Sequence, residues 1–300
     1  MFINLPSNYY KYEERYNNKS IKDELLCVED NLGNYNVERK VQNKGGFLYS
    51  PCTSCMKGNP LKQDFLKGYV IIKSEFKDVT GDGFLDYIYL VGKNYPGALE
   101  EYKDDIHLFV VDGKTQKLYE ANMKTNSGYD PRLFLGDFTG DGIDEVMVSM
   151  ASGGSGGFYF YYIFSFKNGI VTKMFDYEEF SNRKQYTVKY KDNYKVEILS
   201  TDNKEKYSID ISNRGKDYLY QFYDSNGKVI TSEQGEVTEL NSLLPIYPSW
   251  GEERFELLAI QRVIGTFSAD SFGYLQSILS WDDKKGFEVI WSEISVVNEK

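Results

Sequence analysis

The sequence predicts an all-β protein, built as a β-propeller with about four recognisable blade units, four- or five-bladed, with calcium loops between strands. Three observations predict this class. Two acidic nine-residue segments, 78–86 and 137–145, share one pattern between strand-like runs. Acidic residues that precede or begin apolar runs recur at Asp86, Glu145, Glu197 and Glu256, separated by 59, 52 and 59 residues. Aromatic residues, which favour strands, make up 16% of the chain. A period in the fifties is typical of a propeller blade.

Four strands are predicted in the first unit, and the other units are compared with it. These strands are expected at 69–75, 86–92, 106–111 and 117–121, where β-branched and aromatic residues concentrate. Asp112-Gly113 is predicted to be the hairpin turn between the last two strands.

The later units are progressively less regular. The second unit, 131–176, keeps the acidic segment and has an equivalent turn at Asn168-Gly169. The third, 184–223, lacks the acidic segment, and the fourth, 236–294, keeps only Gly251, Glu252 and Glu256 of it. The predicted organisation is therefore an N-terminal arm over 1–65, a repeat domain over 66–294 and a C-terminal tail over 295–300.

Both acidic segments have the composition of a calcium loop. They read D-x-T-G-D-G-x-x-[DE], with side-chain oxygens at positions 1, 3, 5 and 9 and a turn-permitting glycine at position 6. Ca²⁺ takes six to eight oxygen ligands, and position 7 commonly supplies a backbone carbonyl. The predicted ligands are Asp78, Thr80, Asp82, Phe84 and Asp86 for one ion, and Asp137, Thr139, Asp141, Ile143 and Glu145 for the other. The alternative is a pair of acidic turns that bind nothing.

The segments that follow distinguish these loops from an EF-hand. An EF-hand closes its site with Glu at position 12 and continues into a helix. Here position 12 is Tyr89 or Val148, and both lie in β-branched, aromatic runs that predict strands.

Three cysteines, Cys27, Cys52 and Cys55, leave four interpretations open. Cys52-Thr-Ser-Cys55 is a CxxC pair, but a zinc site needs two more ligands, and only Cys27 and His107 are available. A thioredoxin-like centre needs a helix after the motif, which Pro51 and Pro60 disfavour. A disulfide or inter-subunit crosslink and simple reduced thiols remain as the other two interpretations.

Composition narrows the class of partner. The chain has 35 basic and 45 acidic residues, a net charge of −10, which disfavours nucleic acid and anionic membranes. The N-terminus shows no secretory signal, and no apolar run is long enough to insert in a membrane, so synthesis in the cytoplasm is expected. The glycine-rich stretch 152–157 lacks the lysine of a phosphate-binding loop and is expected to connect strands. No catalytic set is legible from spacing.

The acidic loops between strands resemble FG-GAP or VCBS-type repeats, such as those of integrin α-chain propellers. The resemblance covers residues 66–294. The segments 152–162 and 256–262 also resemble VCBS-type proteins of spore-forming Firmicutes, some of which are spore coat or surface proteins. The resemblance implies a location on the spore surface.

The resulting hypothesis is a non-enzymatic calcium-binding β-repeat protein with two Ca²⁺ sites. It would act as a structural or surface component, with the spore coat as the candidate layer, and its partners would be further copies or other coat proteins. Two alternatives stay open: a module that recognises a glycan or protein through aromatic loops such as 95–96 and 247–250, and an enzyme on a propeller scaffold.

Overall fold

The computed structural model describes residues 25–29, 35–39, 64–99, 101–183, 186–202, 204–247 and 253–296. The chain divides into two compact units, Met1–Phe65 and Leu66–Lys300. In the first unit, β1 (Leu25–Glu29) and β2 (Tyr35–Arg39) form an antiparallel pair. Cys27 lies in β1, whereas Cys52 and Cys55 lie outside the described residues, as does most of the predicted arm.

The second unit begins with an antiparallel sheet of eight strands. They are β3 (Val70–Lys77), β4 (Asp86–Asn94), β5 (Tyr102–Val111), β6 (Leu118–Ala121), β7 (Gly128–Gly136), β8 (Glu145–Ala151), β9 (Tyr159–Ser165) and β10 (Thr172–Asp176). The order is β10-β9-β8-β7-β5-β4-β3, with β6 beside β5, and every pairing is antiparallel.

A second antiparallel sheet follows, with seven strands. They are β11 (Tyr186–Lys191), β12 (Lys195–Ser200), β13 (Lys206–Asp210), β14 (Gln234–Ile246), β15 (Glu256–Ile264), β16 (Ser271–Asp282) and β17 (Gly286–Ser295). The order is β13-β12-β11-β14-β15-β16-β17.

Helices are few and short in the described part of the chain. They are α1 (Tyr177–Arg183), α2 (Lys216–Leu219) and the 3-10 turns Asp64–Leu66 and Lys167–Gly169. None of the helices described here has the length and apolar character needed to cross a bilayer.

The all-β prediction is confirmed, but the sheets do not divide into blades. The strands of the first two predicted units form one continuous sheet, and those of the last two units share the other. The physical reason is the length of β5. Its C-terminal half pairs with β6, while Tyr102 and Lys103 pair with β7, so no boundary separates the two units.

The core explains why β8 and β9 are apolar on both faces. Side chains alternate across a strand, so Val146 and Val148 lie on one face of β8 and Met147 on the other. The first face packs with residues of β4 and β5. Met147 joins a cluster that includes Leu257 and Leu279 of the second sheet. The two sheets therefore share a core on one side of β8 and β9.

Candidate functional site

Each acidic loop joins two paired strands. The first connects β3 to β4, and the second connects β7 to β8. The position-9 acids, Asp86 and Glu145, are the first residues of β4 and β8. In both loops the glycines at positions 4 and 6 have positive φ, between 73° and 87°. The two loops therefore fold alike, as their shared pattern predicts.

The position-1 aspartate closes the curl of each loop. Asp78 accepts the Gly81 N–H at 2.7 Å through Oδ1 and the Gly83 N–H at 2.8 Å through Oδ2. Asp137 repeats this arrangement, accepting the N–H groups of the glycines at positions 4 and 6 at 2.6 and 2.8 Å. These bonds satisfy backbone donors that have no strand partner within the loop.

The position-9 acid is buried in both loops. Asp86 is fully buried and accepts three backbone N–H groups, from Val79 at 2.9 Å, Thr80 at 3.0 Å and Gly113 at 2.9 Å. Glu145 is 2% exposed and accepts the Phe138 N–H at 2.8 Å. Each acid thus fastens its loop to the start of the following strand.

Burial raises the pKa of both position-9 acids. Removal from water raises the pKa of Glu145 to about 7, and the negative charges of Asp137 and Asp141 add to the shift. Burial also raises the pKa of Asp86, although its three N–H donors oppose the shift. Burial therefore opposes ionisation of the position-9 acid in each loop.

A lysine ammonium approaches the position-5 aspartate of each loop, but at different distances. Lys167 Nζ lies 2.6 Å from Asp141 Oδ2, whereas Lys114 Nζ lies 3.9 Å from Asp82 Oδ2. Asp144, at position 8, pairs instead with Lys77 at 3.0 Å. The carboxylate of Asp144 therefore has its own partner outside the predicted ligand set.

The two loops are neighbours in the fold. A Cβ atom added to Gly81 would lie 2.3 Å from the Ile143 side chain, so the loops are in contact there. The Asn168 N–H donates to the Thr80 carbonyl at 2.9 Å. The Phe255 N–H, just before β15, donates to the Asp137 carbonyl at 2.7 Å. The loops consequently lie beside each other and against the second sheet.

All the predicted donors are oxygens, which suits a hard cation, but the structure does not bring all of them together. Thr139 Oγ1 lies 3.4 Å from Asp137 Oδ1 and 3.3 Å from Glu145 Oε1, which brings positions 1, 3 and 9 together. In the first loop, Thr80 Oγ1 lies 3.5 Å from Asp78 Oδ1. Within the described ranges, however, no three His, Cys, Asp or Glu side chains are grouped so that they could hold a metal ion.

At position 7 the observed hydrogen bonds are made by the backbone N–H groups, not by the carbonyl oxygens that were predicted to bind the ion. The N–H groups of Phe84 and Ile143 donate to Oδ1 of Asp82 and Asp141 at 2.9 Å. These bonds orient the position-5 aspartates within the loop. The predicted role of the Phe84 and Ile143 carbonyls as ligands stays a prediction.

The acidic repeat holds at three of its four predicted places. Glu256 is buried and is the first residue of β15, as Asp86 and Glu145 are of their strands. Gly251 and Glu252 lie outside the described residues. Glu197 is the third residue of β12 and pairs with Lys191 and Lys206. Treating Glu197 as an equivalent of the position-9 acids was therefore wrong.

Comparison with known proteins identifies the family. The model of the YybI C-terminal domain matches residues 184–295. The Uncharacterized protein YybI of Bacillus subtilis (strain 168) is 37% identical over 216 residues, or 72% of this chain and 81% of that protein. The chain belongs to the YybI family. The matched YybI C-terminal domain contains β11–β17, the whole of the second sheet.

Membership of the YybI family corrects the resemblance to FG-GAP and VCBS-type repeats, which was wrong. The family model that matches is the YybI C-terminal domain, and the acidic loops at 78–86 and 137–145 lie outside the region it matches. The resemblance depended mainly on a nine-residue pattern, and a short acidic loop between strands does not specify the sheets around it.

Asp86→Ala should destabilise this YybI-family protein by about 3 kcal/mol or more, because three N–H groups would lose a buried acceptor. The measurement is urea unfolding in EDTA, so that no cation contributes. Glu239→Ala, at an exposed acid in β14, is the control and should change stability by less than about 0.5 kcal/mol. Equal, small effects of both substitutions would contradict the fastening role of Asp86.

Proposed function

We propose that this YybI-family chain is a non-enzymatic structural protein whose two acidic loops each bind one Ca²⁺ ion. One observation carries the proposal. In each loop a buried acid is the first residue of a strand, and the position-1 aspartate accepts the position-5 N–H at 3.3 Å as the loop curls. A buried carboxylate is costly to ionise without a compensating positive charge.

The proposed ligands are the oxygens at positions 1, 3, 5, 7 and 9 of each loop. They come from Asp78, Thr80, Asp82, Phe84 and Asp86, and from Asp137, Thr139, Asp141, Ile143 and Glu145. A bound cation would supply positive charge to these oxygens. Binding to the folded state alone would then add to the free energy of unfolding.

The donor chemistry favours calcium over other metals. All the proposed donors are oxygens, which disfavours the transition metals that select imidazole or thiolate. Two positive-φ glycines in each loop allow a wrapped, irregular coordination shell. Ca²⁺ accepts such a shell, whereas Mg²⁺ requires near-ideal octahedral geometry and retains its waters.

Calcium binding should be measurable by calorimetric titration of chelator-treated protein. We expect two ions per chain and, at a hundredfold excess over Kd, about 2.7 kcal/mol of added stability per site. Asp82→Ala and Asp141→Ala should each remove one ion, because each deletes a position-5 ligand. Asp144→Asn is the matched control within the second loop and should leave both ions bound. Unchanged stoichiometry in both alanine variants would overturn the ligand sets.

We further propose a location in a bacterial surface layer, with the spore coat as the layer to test first. The support is the Bacillus subtilis relative, which is 37% identical to this chain over 216 residues. The partners would be further copies of the chain or other coat proteins.

The proposed location can be tested with a fluorescent fusion of this chain in sporulating Bacillus subtilis. The fusion should collect in a ring around the forespore, whereas free fluorescent protein, as control, should fill the cytoplasm. A uniform signal from the fusion throughout sporulation would contradict the proposed location.

A further inference from the structure

Lys167 carries a positive charge into the second acidic loop from a separate part of the chain. It follows β9 and begins the turn Lys167–Gly169, and its Nζ lies 2.6 Å from Asp141 Oδ2. Phe166, just before it, is fully buried. Asn168, just after it, donates to the Thr80 carbonyl of the first loop. The backbone on both sides of Lys167 is therefore held in place.

The two oxygens of the Asp141 carboxylate have different partners. Oδ1 accepts the Ile143 N–H at 2.9 Å, and Oδ2 accepts from Lys167 Nζ at 2.6 Å. The ammonium thus acts as a counter-ion to the second loop.

The first loop has no equally close ammonium among the described residues. Lys114 Nζ is 3.9 Å from Asp82 Oδ2, beyond hydrogen-bond distance. The same ammonium lies 5.2 Å from the centre of the Phe84 ring, at the range of a cation–π contact. The otherwise similar loops therefore differ in how closely a lysine neutralises the position-5 aspartate.

We propose that Lys167 is a tethered competitor of Ca²⁺ at the second loop, which makes that site weaker than the site in the first loop. A cation that takes Asp141 as a ligand must break the Lys167 contact before or as it binds. The Lys167 side chain is 46% exposed, so it can move into water when displaced. Without calcium the ammonium stabilises the loop, and with calcium it opposes binding. This inference depends on the calcium binding proposed above.

The test is calorimetric titration of the full chain with Ca²⁺ alone, comparing the unmodified protein with Lys167→Met. The unmodified chain should bind one ion more tightly than the other. Lys167→Met should raise affinity at the weaker site roughly two- to fivefold, the range expected for losing one partly exposed ion pair. Lys167→Arg keeps the positive charge and should keep the original affinity. Asp141→Asn should remove the weaker site, which assigns it to the second loop.

Melting temperature gives a second test, because the effect of Lys167→Met should be destabilising without calcium but not with it. Lys167→Met should lower the melting temperature in EDTA, because Asp141 loses its counter-ion. In millimolar Ca²⁺ the same variant should melt at or above the temperature of the unmodified protein. Lys204→Met removes an 81% exposed lysine far along the sequence and controls for net charge. It should change neither affinity nor the sign of the calcium effect.

The outcomes separate the two proposals. Two ions bound, with equal affinities in the unmodified chain and in Lys167→Met, would overturn the competition and leave the calcium function intact. An increase in affinity of the same size in Lys204→Met would also overturn it, because net charge would then explain the effect. No binding to the unmodified chain at millimolar Ca²⁺ would overturn both proposals.

Discussion

The structure around both loops depends on one constraint, a carboxylate buried at the first residue of a strand. A carboxylate without water must be surrounded by donors, and in this fold the donors are backbone N–H groups of the preceding loop. The loop must therefore curl back over its own strand. The positive-φ glycines and the position-1 aspartate follow from that curl, because they permit it and close it.

The same constraint connects elements that are distant in sequence. Asp86 accepts the N–H of Gly113 in the loop after β5, and the backbones of Asn168 and Phe255 donate to carbonyls of the two loops. Beneath them, Phe138, the residue after Asp137, is fully buried in the core shared by the two sheets. The loops are thus part of the packing of the second unit. A cation held there would act on the sheets as well as on the loops.

Local features were predictable from the sequence, whereas pairing between distant segments was not. The alternation of apolar and polar residues and the β-branched residues predicted β4 and β6. The nine-residue pattern predicted that the two loops fold alike. The predicted hairpin turn at Asp112-Gly113 is confirmed, because β5 pairs with β6 and Asp112 accepts the N–H groups of Lys114 and Thr115 in the loop between them. The pairing of β5 with β7 has no local signal, so separate blades were inferred. Lys167, 26 positions from Asp141, was missed for the same reason.

The most direct test of calcium binding is a crystal structure grown with calcium, with the ions located by their anomalous scattering. We expect one peak in each loop, with oxygens of the position-1 and position-9 acids about 2.3–2.6 Å from it. The Lys167 ammonium should have moved away from Asp141. Loops without anomalous peaks at millimolar calcium, with Lys167 still bonded to Asp141, would show that these acids do not hold a cation.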